Sequence, residues 1–160
     1  MAEFDKAKEK ELLKILKKSA NNPFDRHFAY IGLQDFYYKY RDLDIKYLNL
    51  CEKYCLKDIE TIGIANQDYI SKEVVQINKY SDIRGNLAND LKEISQIKNT
   101  GFNGYIPAFK RLAIIEEKRG NYDKAIMYCD MAINWYTEHN CREYVEEFEK
   151  RKRKYASKKS

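Results

Sequence analysis

The residues of this 160-residue chain best able to hold a metal or act as nucleophiles are four cysteines and two histidines. Cys51 and Cys55 lie four apart, so on a helix they share one face, and His139 and Cys141 are close in sequence. A zinc site needs such groups to converge, and no C-x2-C pair is present. The pattern fits core thiols in a reducing cytosol better than a metal site or a structural disulfide. Neither His27 nor His139 stands beside an obvious nucleophile or an orienting carboxylate, and there is no glycine-rich phosphate loop. The carboxylates are plentiful but sit on charged helical faces. The expectation is a protein that is not an enzyme, with no catalytic residue, no cofactor and no metal.

The elements that carry these residues read as helices throughout. Glycine (6) and proline (2) are scarce, and charged residues, 34% of the chain, are interspersed with apolar ones as on long solvated helices. Residues 1–20 predict an N-terminal helix with a thin stripe of Phe4, Leu12, Leu13 and Leu16. Asn22-Pro23, with Asp25 in the first turn, opens the next helix well. A turn at Arg41-Asp42, with Asp42 as cap, makes 23–59 a first hairpin, and Gly63 marks a connection between Ile59 and Asp68. Ile70, Val74, Ile77 and Tyr80 then suit a helix, although Glu73–Ile77 would also suit a strand. Ile83, Leu87, Leu91 and Ile94 form a clear stripe, completing a degenerate second hairpin over 66–98. Asn99–Gly104 is the strongest loop signal. A third hairpin spans 106–139, and a capping helix with a basic tail spans 141–157.

The third hairpin is the most informative. Residues 108–133 read AFKRLAIIEEKRGNYDKAIMYCDMAI: two amphipathic helices broken at Gly120-Asn121, with small residues Ala113, Ala125 and Ala132 where paired helices approach. Phe109-x2-Leu112-Ala113-x2-Glu116 followed by Ala125-x3-Cys129, with Gly120, Tyr122 and Ile133, resembles the tetratricopeptide repeat (TPR) family. Glu116, Cys129 and Thr137 depart from that family's Tyr, Phe and Pro. The PAFKRLAII segment is also similar to one carried by uncharacterised bacterial TPR-like proteins. The first hairpin matches less well: either Tyr30 and Leu33, or Phe28, Ile31 and Gly32, could answer Phe109 and Leu112. Tyr30 to Phe109 is 79 residues, against about 68 for two standard repeats.

The resemblance implies an all-α protein of about seven helices: three antiparallel helical hairpins in a right-handed solenoid, with an N-terminal helix and a C-terminal capping helix. It also implies a protein- or peptide-binding adaptor or scaffold whose groove is lined by the first helix of each hairpin. On that reading Tyr37, Tyr38, Lys110, Ile114, Glu117 and Lys118 are the candidate groove residues. Carboxylate-clamp TPRs place an Asn one turn after the Lys. Ile114 stands there, which argues against a chaperone-tail type.

Six tyrosines between Tyr30 and Tyr54 are too many for one core stripe and suggest an exposed recognition surface, or a face for a homodimer. The net charge of +5 is concentrated at the end: residues 142–160 hold eight Lys/Arg and four Glu, leaving the body nearly neutral. Lys150, Arg151, Lys152, Arg153 and Lys154 form a basic tail suited to nucleic acid as an alternative partner, or to i,i+4 pairs with the glutamates before it. No apolar run approaches the ~18 residues of a membrane span, and the N-terminus lacks the pattern of a secretory signal, so a cytoplasmic protein without membrane contact is expected. Usage rich in Lys, Ile, Asn and Tyr suggests a bacterial or phage source.

Overall fold

The computed structural model describes residues 3–84 and 87–159, excluding the side chains of 81–84, so the Ile83 part of the apolar stripe lies outside the described residues. It is all-helical, with no strand among the described residues: α1 (Lys6–Lys18), α2 (Pro23–Lys39), α3 (Ile45–Arg84), α4 (Leu87–Thr100), α5 (Pro107–Lys118), α6 (Tyr122–Glu138) and α7 (Val145–Lys158), the last entered through a 3-10 turn at Arg142–Tyr144.

Local signals set most boundaries. Asp5 caps α1 by accepting the Lys8 N–H at 2.9 Å. Asn22 occupies the position before α2, with Pro23 in the first turn, but its side chain makes no cap hydrogen bond. The next helix opens later than expected: Asp44, not Asp42, accepts the Lys46 N–H at 2.9 Å. Helix α5 stops at Gly120 (φ +77°), where the Asn121 and Gly120 N–H groups donate to the Glu116 and Glu117 carbonyls at 2.9 and 3.0 Å. This is the Schellman arrangement, which needs a left-handed residue. Asn140 (φ +60°) ends α6 in the same way, with the Cys141 N–H on the Tyr136 carbonyl at 2.7 Å.

The largest correction concerns the middle of the chain. The connection expected between Ile59 and Asp68 is absent, because α3 runs unbroken for 40 residues. One glycine without a proline or a capping residue costs a helix about 1 kcal/mol, which the burial of Ile62 and Ala65 against the body offsets. The first turn past residue 66 still rests on α2, with the Phe24 N–H donating to Asp68 at 3.0 Å and the Tyr69 ring 5.1 Å from that of Phe24; beyond it the helix leaves the body and α4 returns along it, so 67–100 form an arm. Its base is closed where the Phe102 N–H donates to Asn66 Oδ1 at 2.7 Å; Gly101 (φ +66°) is required there, since a Cβ would run into the Asn66 amide. The strand alternative at Glu73–Ile77 falls with this helix. The core lies instead where α2 packs on α1 and α3, α5 on α3 and α6, and α7 on α6.

Gly63, inside α3, and Gly120, just past the end of α5, should respond in opposite senses. Gly63→Ala meets no atom within 4 Å and should stabilise the protein by about 0.5–1 kcal/mol in urea unfolding. Gly120→Ala forces a side chain into the left-handed region and should destabilise it by about 1 kcal/mol. A neutral or destabilising Gly63→Ala would argue against a continuous α3.

Candidate functional site

The seam between α2 and α3 encloses the densest polar and aromatic cluster. His27 and Gln34, seven residues apart on one face of α2, both reach Asp58 on α3. His27 Nδ1 lies 2.5 Å from Asp58 Oδ1, and Gln34 Nε2 donates to Asp58 Oδ2 at 3.3 Å and to the Tyr54 carbonyl at 3.2 Å. All three side chains are buried. The sequence reading found no carboxylate for His27 because its partner is 31 residues away. The spacing Cys51, Tyr54, Cys55, Asp58 on one face of α3 was the available signal. Among the described residues no nucleophile lies within hydrogen-bond distance of the trio, which lies in the interior, with the rings of Phe28 and Phe102 packed on His27 at 5.0 and 5.6 Å.

The expected tyrosine surface is mostly core. Tyr30, Tyr37, Tyr40, Tyr47 and Tyr54 are all buried. Tyr37 is only 2% exposed and is therefore no groove residue: its ring stacks between Tyr54 (5.9 Å) and Tyr47 (6.2 Å), and its hydroxyl donates to Glu9 at 2.7 Å. Phe4 continues the stack onto Tyr47 at 4.4 Å. Helix α2 lies between α1 and α3 and so has two buried sides, leaving Asp25, Phe28, Asp35 and Lys39 exposed.

Tyr38 is the exception. One turn beyond Gln34, it faces a cleft of about 240 Å³ between α2 and α5, lined also by Tyr105, Pro107, Lys110, Arg111 and Ile114. Cations surround its ring: the guanidiniums of Arg41 and Arg111 lie 4.0 and 4.6 Å from the centroid, and Lys118 Nζ lies at 5.3 Å. Lys118 also donates to the Tyr38 hydroxyl at 3.3 Å. Arg111 pairs with Asp35 at 2.7 Å, and Lys110 with Glu147 at 3.3 Å. Tyr105 donates to the same Glu147 at 3.1 Å; burial, reinforced by that carboxylate, pushes its phenol up. Of the six expected groove residues, Tyr38, Lys110, Ile114 and Lys118 are thus brought together. Arg41, Tyr105 and Arg111 were missed because their contribution depends on how α2 meets α5.

Glu117 turns away from the cleft. It accepts from Tyr155 at 3.1 Å and pairs with Lys154 and Lys158 at 3.0 and 3.2 Å, tying α5 to α7. The rest of the basic tail is similarly engaged: Lys150 with Glu146 at 3.5 Å, Arg151 with Glu147 at 3.9 Å, Lys152 with Asp130 at 2.7 Å, and Lys159 with Asp123. Arg153 is exposed. The tail is a helix seated on the body through Phe148 and Tyr155, both fully buried.

All four cysteines are buried thiols. A hydrogen bond from Cys55, aided by Arg111, holds the Cys51 thiol below its ordinary value, whereas burial raises that of Cys55. Burial pushes Cys129 up to about 11. Among the described residues no group of three His, Cys, Asp or Glu could hold a metal ion, and no helix is long and apolar enough to cross a membrane. No protein-family model, curated protein or solved structure matches the chain.

Burial alone would raise the Glu117 carboxyl, but Lys154, Lys158 and Tyr155 hold it below the ordinary carboxylate range. Its contribution is therefore present above the unfolded value of about 4.3 and lost as pH falls through the lower folded value. Glu117→Gln should cost about 1 kcal/mol at pH 7, with the difference from the parent shrinking below about pH 4 in urea titrations. A pH-independent difference would show that the ion pairs do not stabilise the α5–α7 contact.

Proposed function

We propose that the chain is a non-catalytic binding module of TPR type, and that the α2–α5 cleft takes an acidic, extended segment of a partner protein. The observation that carries this reading is the Tyr38 ring set among Arg41, Arg111 and Lys118, with Lys110 across the cleft. Lys110 and Arg111 line the cleft, Arg41 and Lys118 lie beside it against the Tyr38 ring, and the paired carboxylates are two, Asp35 and Glu147, so the cleft and its margin have an excess of two positive charges. Arginine and lysine side chains already positioned around an aromatic ring recognise carboxylates without first having to be ordered. Pro107 and Ile114 supply an apolar floor. Ile114 in place of a clamp Asn favours side-chain carboxylates over a chain terminus.

The packing supports the repeat reading. Helix α5 lies against α3 and touches α2, so the hairpin α5–α6 follows α2–α3 directly. Residues 67–106 then account for most of the 79-residue offset in excess of one repeat of about 34. The basic tail carries no comparable argument, since Lys150, Arg151, Lys152 and Lys154 face carboxylates of the same chain.

Selection from a displayed library of random 16-residue peptides, followed by fluorescence anisotropy on the enriched sequences, tests the proposal. Enriched peptides should be acidic and bind in the micromolar range. Affinity should fall about tenfold in Tyr38→Ala and in Lys110→Glu, and also on raising salt from ~0.05 to ~0.5 M. Enrichment of neutral or basic peptides, or binding indifferent to both variants, would sink the cleft assignment.

A further inference from the structure

The arm formed by residues 67–100 is the least self-sufficient part of the fold. Among its described residues only Ile77 and Asp90 are buried. A pair of helices has one seam and cannot enclose a core, so the remaining apolar residues stay in water. Val75, Leu87 and Leu91 are 66%, 63% and 57% exposed. Helical spacing places them on one side of the hairpin. On α3, Ile64, Ser71 and Val75 follow one another around a face that Ile70 and Val74 flank, and a groove of about 480 Å³ joins Ile70, Val74 and Val75 to Lys98 of α4. Leu91 lies seven residues before Lys98, so it shares that side, with Leu87 and Ile94 beside it.

We infer that this face pairs with the same face of a second copy of the chain, the two arms closing into a four-helix bundle. Charge selects this occupant. The arm holds five Lys/Arg and five Asp/Glu, so the whole net charge of +5 resides outside it. Two copies meeting through their bodies bring like charges together, whereas two arms meet without net repulsion. The area approaches what a stable dimer needs. The 18 residues from 67 to 84 extend about 27 Å, and two helices side by side are about 20 Å wide. That face is on the order of 500 Å² in projection and more in accessible surface, close to the ~800 Å² per partner of a stable interface. A two-fold axis lets each stripe serve as both donor and receiver of contacts, which is the commonest closed assembly.

Sedimentation equilibrium of the full chain between ~1 and ~100 µM tests the inference, with circular dichroism as the check on folding. The parent should pass from monomer to dimer with a micromolar midpoint. The double variant Leu87→Glu/Leu91→Glu alters side chains that are already mostly in water, so it should keep its helix content. Its dimerisation should weaken by at least ~100-fold. Ile45→Glu, equally exposed on the body at 66%, should dimerise like the parent. A parent still monomeric at ~100 µM, including one whose arm instead binds a different protein, overturns the inference. A dimer that survives the double variant, or is lost in Ile45→Glu, overturns it as well.

Discussion

A carboxylate with no access to solvent sits in the α2–α3 seam, and much of the molecule follows from having to answer it. Asp58 left alone there would cost several kcal/mol, so it must meet donors from a neighbouring helix. His27 and Gln34 supply them from two turns of one face of α2, and two contacts to the two oxygens of one group fix both the rotation and the slide of α2 along α3. With that register set, Tyr37 stacks between Tyr54 and Tyr47, and Phe4 and Glu9 of the N-terminal segment close over it. The same register sends Tyr38, one turn past Gln34, out of the seam and toward α5. The cleft is therefore a consequence of the buried trio, although no member of the trio lines it.

The second constraint is Glu116. It lies in the last turn of α5, and it is fully buried. Arg119 at 2.9 Å and Asn121 at 2.8 Å satisfy it, and Arg119 reaches on to Glu52 of α3 at 2.5 Å. The residues that end α5 therefore also bind it to α3: the helix stop at Gly120 positions Asn121, and the network joins the α5–α6 hairpin to α3. Breaking such a network is costly because the remaining carboxylate keeps its burial and loses its partners.

What could be read from the sequence was local. Gly120-Asn121, Pro23 and Pro107 act within one turn of themselves, and Ala113, Ala125 and Ala132 are small because a paired helix needs them to be; all of these stand as expected. What could not be read depends on neighbours distant in sequence. The tyrosines exceed one stripe because α2 has two buried sides, one against α1 and one against α3. Gly63 is a break by helix propensity alone, but the burial of Ile62 and Ala65 on either side carries the helix through it. His27 looked unpartnered because Asp58 is brought to it only by the fold. Within the cleft, Tyr38, Lys110, Ile114 and Lys118 follow from hairpin geometry, but Tyr37 and Glu117 do not: each lies a small rotation away, and each was captured by a neighbouring helix.

Charge divides the molecule into regions with different relations to solvent and to partners. The tail is rich in cations, yet Lys152, Lys154 and Lys158 of α7 are set against Asp130 and Glu117, so they hold the last helix to the body. The cleft keeps two more cations than carboxylates in a partly desolvated place, where a charge acts more strongly than on open surface. The arm is neutral and apolar-faced. A neutral arm that pairs and a cationic cleft that binds would use separate surfaces, because the cleft lies between α2 and α5 while the arm departs from the middle of α3. Pairing through the arms would then leave both clefts open and join two of them in one particle. A partner with two acidic segments could occupy both, its second segment binding at the effective concentration set by their separation rather than from free solution. Cleft affinities in the micromolar range, weak for a single segment, would suffice for such a particle.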